Sequence, residues 1–215
     1  SFNIYRNLRY YNGRGKDVSA YMRNIESYRK NISNTKTIEE LMGVEGNIRQ
    51  EYYKAWNVII DQNIEFNKRV YHPADNMINS LISFVNTLVY TKTLSEIYKT
   101  QLNPTISFLH QPGTRRFSLA LDVSEVFKPL IADRLIFSLL NRKQITEDSF
   151  VKDLNGLQLT EKASKTIMAE LDNKLKTTVF HKELNKKVSY QFLIRLELYK
   201  LIKHIIGEKE YKGFE

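Results

Sequence analysis

Apolar residues recur along most of this chain at steps of three and four, the spacing that gathers them on one face of an α-helix. Ile38, Leu41, Ile48, Tyr52 and Ala55 form one such stripe. It opens at Thr37-Ile38-Glu39-Glu40, a capping box whose hydroxyl and carboxylate satisfy orphan amides, and predicts a helix to about Asn67. Ahead of it, one helix closes near Asn12-Gly13-Arg14-Gly15-Lys16 and a second runs from Ser19 to Asn31. His72-Pro73 opens a fourth, which reaches Thr100 and is closed by Asn103-Pro104. After a loop over 105–117, an apolar helix runs from Leu119 to Leu140. Pro129 in that helix cannot donate to the carbonyl of residue 125, so a bend or restart is expected there. The stretch FVKDLNGLQLT reads as a small β-hairpin turning at Asn155-Gly156. Two helices, 160–176 and 184–206, complete the pattern. With no linker rich in Gly, Ser or Pro, the expectation is an all-α fold with one small hairpin near 150–159, as a single domain over residues 1–215.

Polar residues interrupt this pattern in three places. Glu45 falls on the stripe of the third helix, where a carboxylate facing the core costs several kcal/mol unless a cation or donors meet it. Gly43 and Gly46 flank it and admit a close approach, the alternative being a Glu45 solvated at the helix edge. In the fifth helix, Asp122 and Glu125 share a face opposite Leu119, Val123, Val126 and Leu130; they are either ligands for a cation or surface acids near a helix N-terminus. The fourth helix carries a polar stripe of Asn76, Asn79, Ser80, Ser83, Asn86 and Tyr90, suited to lining a site or to satisfying buried backbone.

Composition narrows the chemistry. At 42% hydrophobic and 27% charged residues, disorder is excluded as the main state. The absence of cysteine removes disulfides, thiolate metal sites and cysteine nucleophiles, and suits a cytoplasmic protein. No stretch approaches the ~20 uncharged apolar residues of a membrane span. The first residues lack a signal-peptide layout and open in mid-pattern, so the chain reads as a piece of a longer protein. Lys and Arg exceed Asp and Glu by 33 − 24 = 9, a charge that points weakly to polyanionic partners. His110, in the loop ahead of Asp122, could join Glu45, Asp122 and Glu125 if the third and fifth helices pack together. One imidazole with carboxylates and no sulfur suits Mg²⁺ or Mn²⁺. Arg49, Arg115, Arg116 and Lys128 lie close in sequence to these residues and would contact phosphate, while Tyr90 reads as an aromatic platform, a general acid or a packed tyrosine with a solvated hydroxyl.

The segments LMGVEGNIRQEYYKAW, NMINSLISFVNTLVY and LHQPGTRRFSLALDVSEVFKPLIADRLIF together resemble the CRISPR adaptation integrase family, the catalytic endonuclease subunit of the spacer-acquisition complex. The similarity covers nearly the whole chain and three motifs in order. It implies a helical catalytic domain lacking the family's N-terminal β-rich domain. By the same resemblance Glu45, His110 and Glu125 are metal ligands, Asp122 is an auxiliary catalytic acid, and Lys128 and Tyr90 are active-site neighbours. The implied reaction is metal-dependent cleavage and transesterification that inserts spacer DNA into the CRISPR array. The implied partners are DNA, a small ferredoxin-like adaptation subunit and a second copy in the full-length protein, with no membrane. The competing reading is a non-catalytic helical nucleic-acid-binding scaffold. A helical nucleotide phosphohydrolase fits poorly, because none of His72, His110, His181 and His204 is followed by Asp.

Overall fold

A computed structural model describes residues 1–70, 74–109, 117–153 and 156–214, and the fold is mainly helical. Its elements are α1 (Phe2–Asn12), α2 (Ser19–Lys30), α3 (Ile38–Ile59), α4 (Met77–Ile97), α5 (Ser118–Phe127), α6 (Arg134–Asn141), β1 (Phe150–Asp153), β2 (Gly156–Leu159), α7 (Glu161–Lys176), β3 (Thr178–His181), β4 (Lys186–Ser189) and α8 (Tyr190–Ile205). They divide into two compact units, Ser1–Ser83 with Ile136–Ser164, and Phe84–Leu135 with Lys165–Glu215. No helix among the described residues is long and apolar enough to cross a membrane.

In the first unit α1, α2 and α3 pack together. Leu8, Ile25, Ile48, Tyr52, Trp56, Ile59 and Phe66 are fully buried. Trp56 and Phe137 meet edge to face at 4.6 Å, and the Tyr52 hydroxyl accepts from Asn7 Nδ2 at 2.7 Å. Thr37 caps α3 as expected, its hydroxyl accepting from the Glu40 amide at 3.2 Å. The helix ends at Ile59 rather than Asn67, because side-chain amides take over the backbone groups beyond it. Asn57 binds both the N–H and the C=O of Phe66, each at 2.9 Å. Asn141 accepts from the Asp61 amide and donates to the Ile59 carbonyl, while Gln62 donates to the carbonyls of Leu140 and Ile145.

The expected start of the fourth helix at residues 72–73 lies outside the described residues. Regular helix begins at Met77, where Asn76 Oδ1 accepts from the Asn79 amide at 2.9 Å. The polar stripe of α4 satisfies backbone at this end. Asn79 donates to the Lys68 carbonyl and accepts from the Val70 amide, while Arg69 reaches both Asn79 and Ser83. The β1–β2 hairpin forms as expected, its register pairing Asp153 with Gly156; Asn155 of the expected Asn155-Gly156 turn lies outside the described residues. Gly156, at φ +100°, is the first residue of the returning strand.

In the second unit Val85, Val89, Leu119, Ala120, Val123, Phe127, Leu193, Ile194 and Leu198 are buried, and α5 packs on α8. The expected long helix 119–140 breaks at Pro129. The ladder widens there, the Asp133 amide reaching the Lys128 carbonyl at 3.0 Å, before α6 resumes normal spacing. Residues 184–189, expected as the first turns of the last helix, instead complete a second hairpin, β3–β4. Asn185 takes φ +48° in its turn, and Ser189 caps α8 by accepting from the Phe192 amide.

Candidate active site

Glu45 sits in the N-terminal half of α3, on a face that the first unit leaves uncovered. Ile38 and Met42 on that half are 50% and 44% exposed, and among the described residues nothing would meet a Cβ at Gly43 or Gly46. Its apolar stripe is therefore buried only from Ile48 onward. Of the two readings of Glu45, the structure shows the helix-edge one: Glu45 is partly exposed and pairs with Arg49, one turn on, at 3.1 Å.

Asp122 and Glu125 do share a face of α5, and both line a pocket of about 310 Å³ in the second unit. Phe108, Leu109, Val123, Val126, Leu201, His204 and Tyr211 complete its walls. Glu125 is bound by the Lys128 ammonium one turn on, and Lys128 is itself nearly buried, its side chain 10% exposed. The carboxylate of Asp122 is turned to the chain that precedes His110: Oδ2 accepts from the amides of Phe108 and Leu109 at 2.8 and 3.0 Å.

His110, Arg115 and Arg116 lie outside the described residues. The chain on either side of them is firmly held. Before them stands the Asp122 clamp. After them, the Phe117 amide donates to the Tyr90 hydroxyl at 3.0 Å, and Ser118 and Leu119 bond back to the carbonyls of Thr105 and Pro104. Tyr90, expected as an aromatic platform, uses its hydroxyl to fasten the loop's exit. Among the described residues, no group of three His, Asp or Glu side chains gathers closely enough to hold a metal. The donor set itself, two carboxylates and an imidazole without sulfur, is the chemistry that suits a hard divalent ion.

Residues 1–173 match the family model described as CRISPR associated protein Cas1. The chain belongs to the Cas1 family. It is 68% identical over 215 residues to the CRISPR-associated endonuclease Cas1 of Fusobacterium nucleatum, covering all of this chain and 64% of that protein. A Cas1 endonuclease of Thermodesulfovibrio yellowstonii is 47% identical over 213 residues, covering 99% of this chain and 64% of that protein. Among solved structures, a CAS1 protein from Thermotoga maritima superposes with a TM-score of 0.86 at 38% identity, covering 97% of this chain and 64% of that one. The chain thus spans under two thirds of the length of these relatives, and the helical architecture is that of the family.

Two features of the site were missed from sequence. Asp122 as a backbone clamp was not foreseen, because a carboxylate accepting amides 13 and 14 residues back leaves no periodic trace. Glu197 was missed as well, although it lies on the inward face of α8 beside Leu193, Ile194, Leu198 and Leu201, and a carboxylate on an apolar stripe is a readable anomaly.

Proposed function

We propose that this chain is the catalytic part of a divalent-metal-dependent DNA endonuclease and integrase of CRISPR adaptation, which joins new spacer DNA to the CRISPR array by phosphodiester transesterification. The observation that carries the reading is the Asp122 clamp. It fastens the chain immediately before His110 to the pocket that Glu125 lines. Family membership supports the reading, since relatives over the whole chain carry the name endonuclease.

Glu45, His110 and Glu125 would hold Mg²⁺ or Mn²⁺, which supplies polarisation of the scissile phosphate and stabilisation of the charge of an in-line displacement. The chain's own residues do the rest. Asp122 and Tyr90 fix the two ends of the His110 loop, so that the imidazole is presented at low entropic cost. Arg49 and Lys128 neutralise the two glutamates in the free protein and turn to phosphate oxygens when DNA enters. Arg115 and Arg116 contact the DNA backbone beside the loop, which fixes register without reading sequence. A small ferredoxin-like adaptation subunit and a second copy of the full-length protein complete the assembly, in the cytoplasm.

The test is strand cleavage and strand transfer on branched DNA by the full-length protein, with Mn²⁺ or Mg²⁺. Glu45→Ala, His110→Ala and Glu125→Ala should each abolish both reactions and leave DNA binding in place. Binding should weaken steeply between 50 and 200 mM salt, by about two to three decades for about five phosphate contacts. Full cleavage by any of the three variants removes that ligand. Metal-independent binding with no cleavage by the unaltered protein leaves the scaffold reading in its place.

A further inference from the structure

The pocket beside Glu125 is closed on one side by Tyr211, a residue of the short segment that follows α8. Gly207, at φ +74°, reverses the chain there; its amide returns to the His204 carbonyl and that of Glu208 to the Lys203 carbonyl, at 3.1 and 2.8 Å. A segment of this kind frays unless it is tied down. This one is tied to Glu197, whose side chain is 1% exposed. Oε1 of Glu197 accepts from the Tyr211 hydroxyl at 2.6 Å and from the Phe214 amide at 2.9 Å. The Lys200 ammonium lies 3.0 Å from Oε2 as an ion pair, off the hydrogen-bonding direction, and also reaches the Lys212 carbonyl at 3.3 Å.

A buried carboxylate costs several kcal/mol unless donors meet it. Here both hydrogen bonds to Oε1 come from the segment itself, and Lys200 of α8 adds an ion pair at Oε2, so the segment supplies the hydrogen-bond donors that Glu197 has. Burial, and then the bond to Glu197, push the Tyr211 phenol far above its usual range, so it stays a donor at any working pH. The far end of the segment lands on α5: the rings of Phe214 and Phe127 stack at 5.7 Å with 27° between their planes. Phe127 is fully buried and lies between Glu125 and Lys128, at the turn where Pro129 has removed a backbone bond. That turn lacks the normal ladder, and the ring of Phe214 stacks directly beside it.

We propose that residues 208–214 form a strap, buckled on Glu197, which braces the turn of α5 bearing Glu125 and Lys128. Tyr211 and Phe214 are positioning residues for the site. The inference rests on Glu125 being a ligand of the reacting centre, but the brace can be measured without activity.

The experiment compares backbone amide hydrogen exchange in the full-length protein and in its Phe214→Ala, Phe214→Tyr and Tyr211→Phe variants. In Phe214→Ala, amides of 126–133 should exchange roughly tenfold faster or more, while those of α1–α3 keep their protection. Phe214→Tyr keeps the stack and restores slow exchange. Should Phe214→Ala fail to fold, Tyr211→Phe, which deletes one hydroxyl, decides by the same readout with a smaller change. In the nuclease assay Phe214→Ala should lower kcat by roughly tenfold with little change in KM for DNA, as expected for a misplaced catalytic group. Unchanged exchange over 126–133 overturns the brace whatever the assay shows. Faster exchange with undiminished kcat overturns the positioning role. If the unaltered protein cleaves nothing, the nuclease reading falls, and the strap stands or falls on exchange alone.

Discussion

The backbone amide of Leu109 donates to Oδ2 of Asp122 at 3.0 Å, and the next residue in the chain is His110. Asp122 therefore fixes the chain up to the residue before His110, from a position on the same helix face as Glu125, and in the proposed function this makes it a positioning residue. This explains two acids at a spacing of three without requiring both to bind one ion. The division of labour is testable residue by residue.

Asp122→Ala deprives the Phe108 and Leu109 amides of their acceptor, at a cost of about 1–3 kcal/mol where water does not replace it. Single-turnover cleavage should fall by roughly tenfold to a hundredfold, since small displacements of a reacting group cost that much. Asp122→Asn keeps an acceptor oxygen and should retain most of the rate. Equal loss in both variants would instead make the charge of Asp122 the essential property.

Tyr90→Phe removes only the hydroxyl that accepts from the Phe117 amide. Thermal unfolding should report a loss of about 0.5–1.5 kcal/mol, the worth of one neutral hydrogen bond. Cleavage should fall less than in Asp122→Ala, because Ser118 and Leu119 still anchor the exit through Thr105 and Pro104.

Glu96 is buried in the second unit, between Arg195 at 2.7 Å, Lys99 at 2.6 Å and Gln191 at 2.8 Å. Burial acts to raise its carboxyl, but the bonds from Arg195, Lys99 and Gln191 outweigh it and hold the group below its usual range. A depressed carboxyl stabilises the fold fully above its unfolded value, near pH 4.5, and that stability is lost as pH falls through the lower folded value. Melting temperatures between pH 7 and 3 should fall less steeply in Glu96→Gln than in the unaltered protein. At pH 7 the variant should be the less stable, because Arg195 and Lys99 lose their counter-charge. Parallel curves would show that Glu96 carries no acid sensitivity.

Trp56 is fully buried against Phe137, Phe66, Tyr52 and Tyr53. Trp56→Ala should cost about 3–5 kcal/mol in chemical denaturation, the usual price of deleting a large core aromatic. Trp56→Phe should cost much less, because it also removes a buried indole N–H for which the described residues provide no acceptor.

Helix content, the capping of α3, the break at Pro129 and the β1–β2 hairpin were legible in sequence, because each arises from contacts within a few residues. The β3–β4 hairpin was not. Thr177, Thr178, Val179 and Phe180 carry β-preferring side chains, but Leu184 and Val188 also extend the helical spacing of α8 backward, and a short apolar run satisfies either period. The end of α3 was misplaced by the same ambiguity, since Ile59 and Phe66 continue its stripe. The side-chain amides of Asn57 and of the distant Asn141 give the chain a better use for its backbone groups.

By itself the sequence determined the helical class and the family motifs, and it supplied the candidate acids and bases of the proposed site. Periodicity and motif spacing are properties of neighbours in the chain. Tertiary structure alone decided what each of those groups touches: Glu45 at an open edge with Arg49, Asp122 on the amides before His110, and Glu197 under the Tyr211–Phe214 strap. The physical reason is that a buried or clamping carboxylate is specified by donors that fold back onto it, and their distance along the chain follows no local rule.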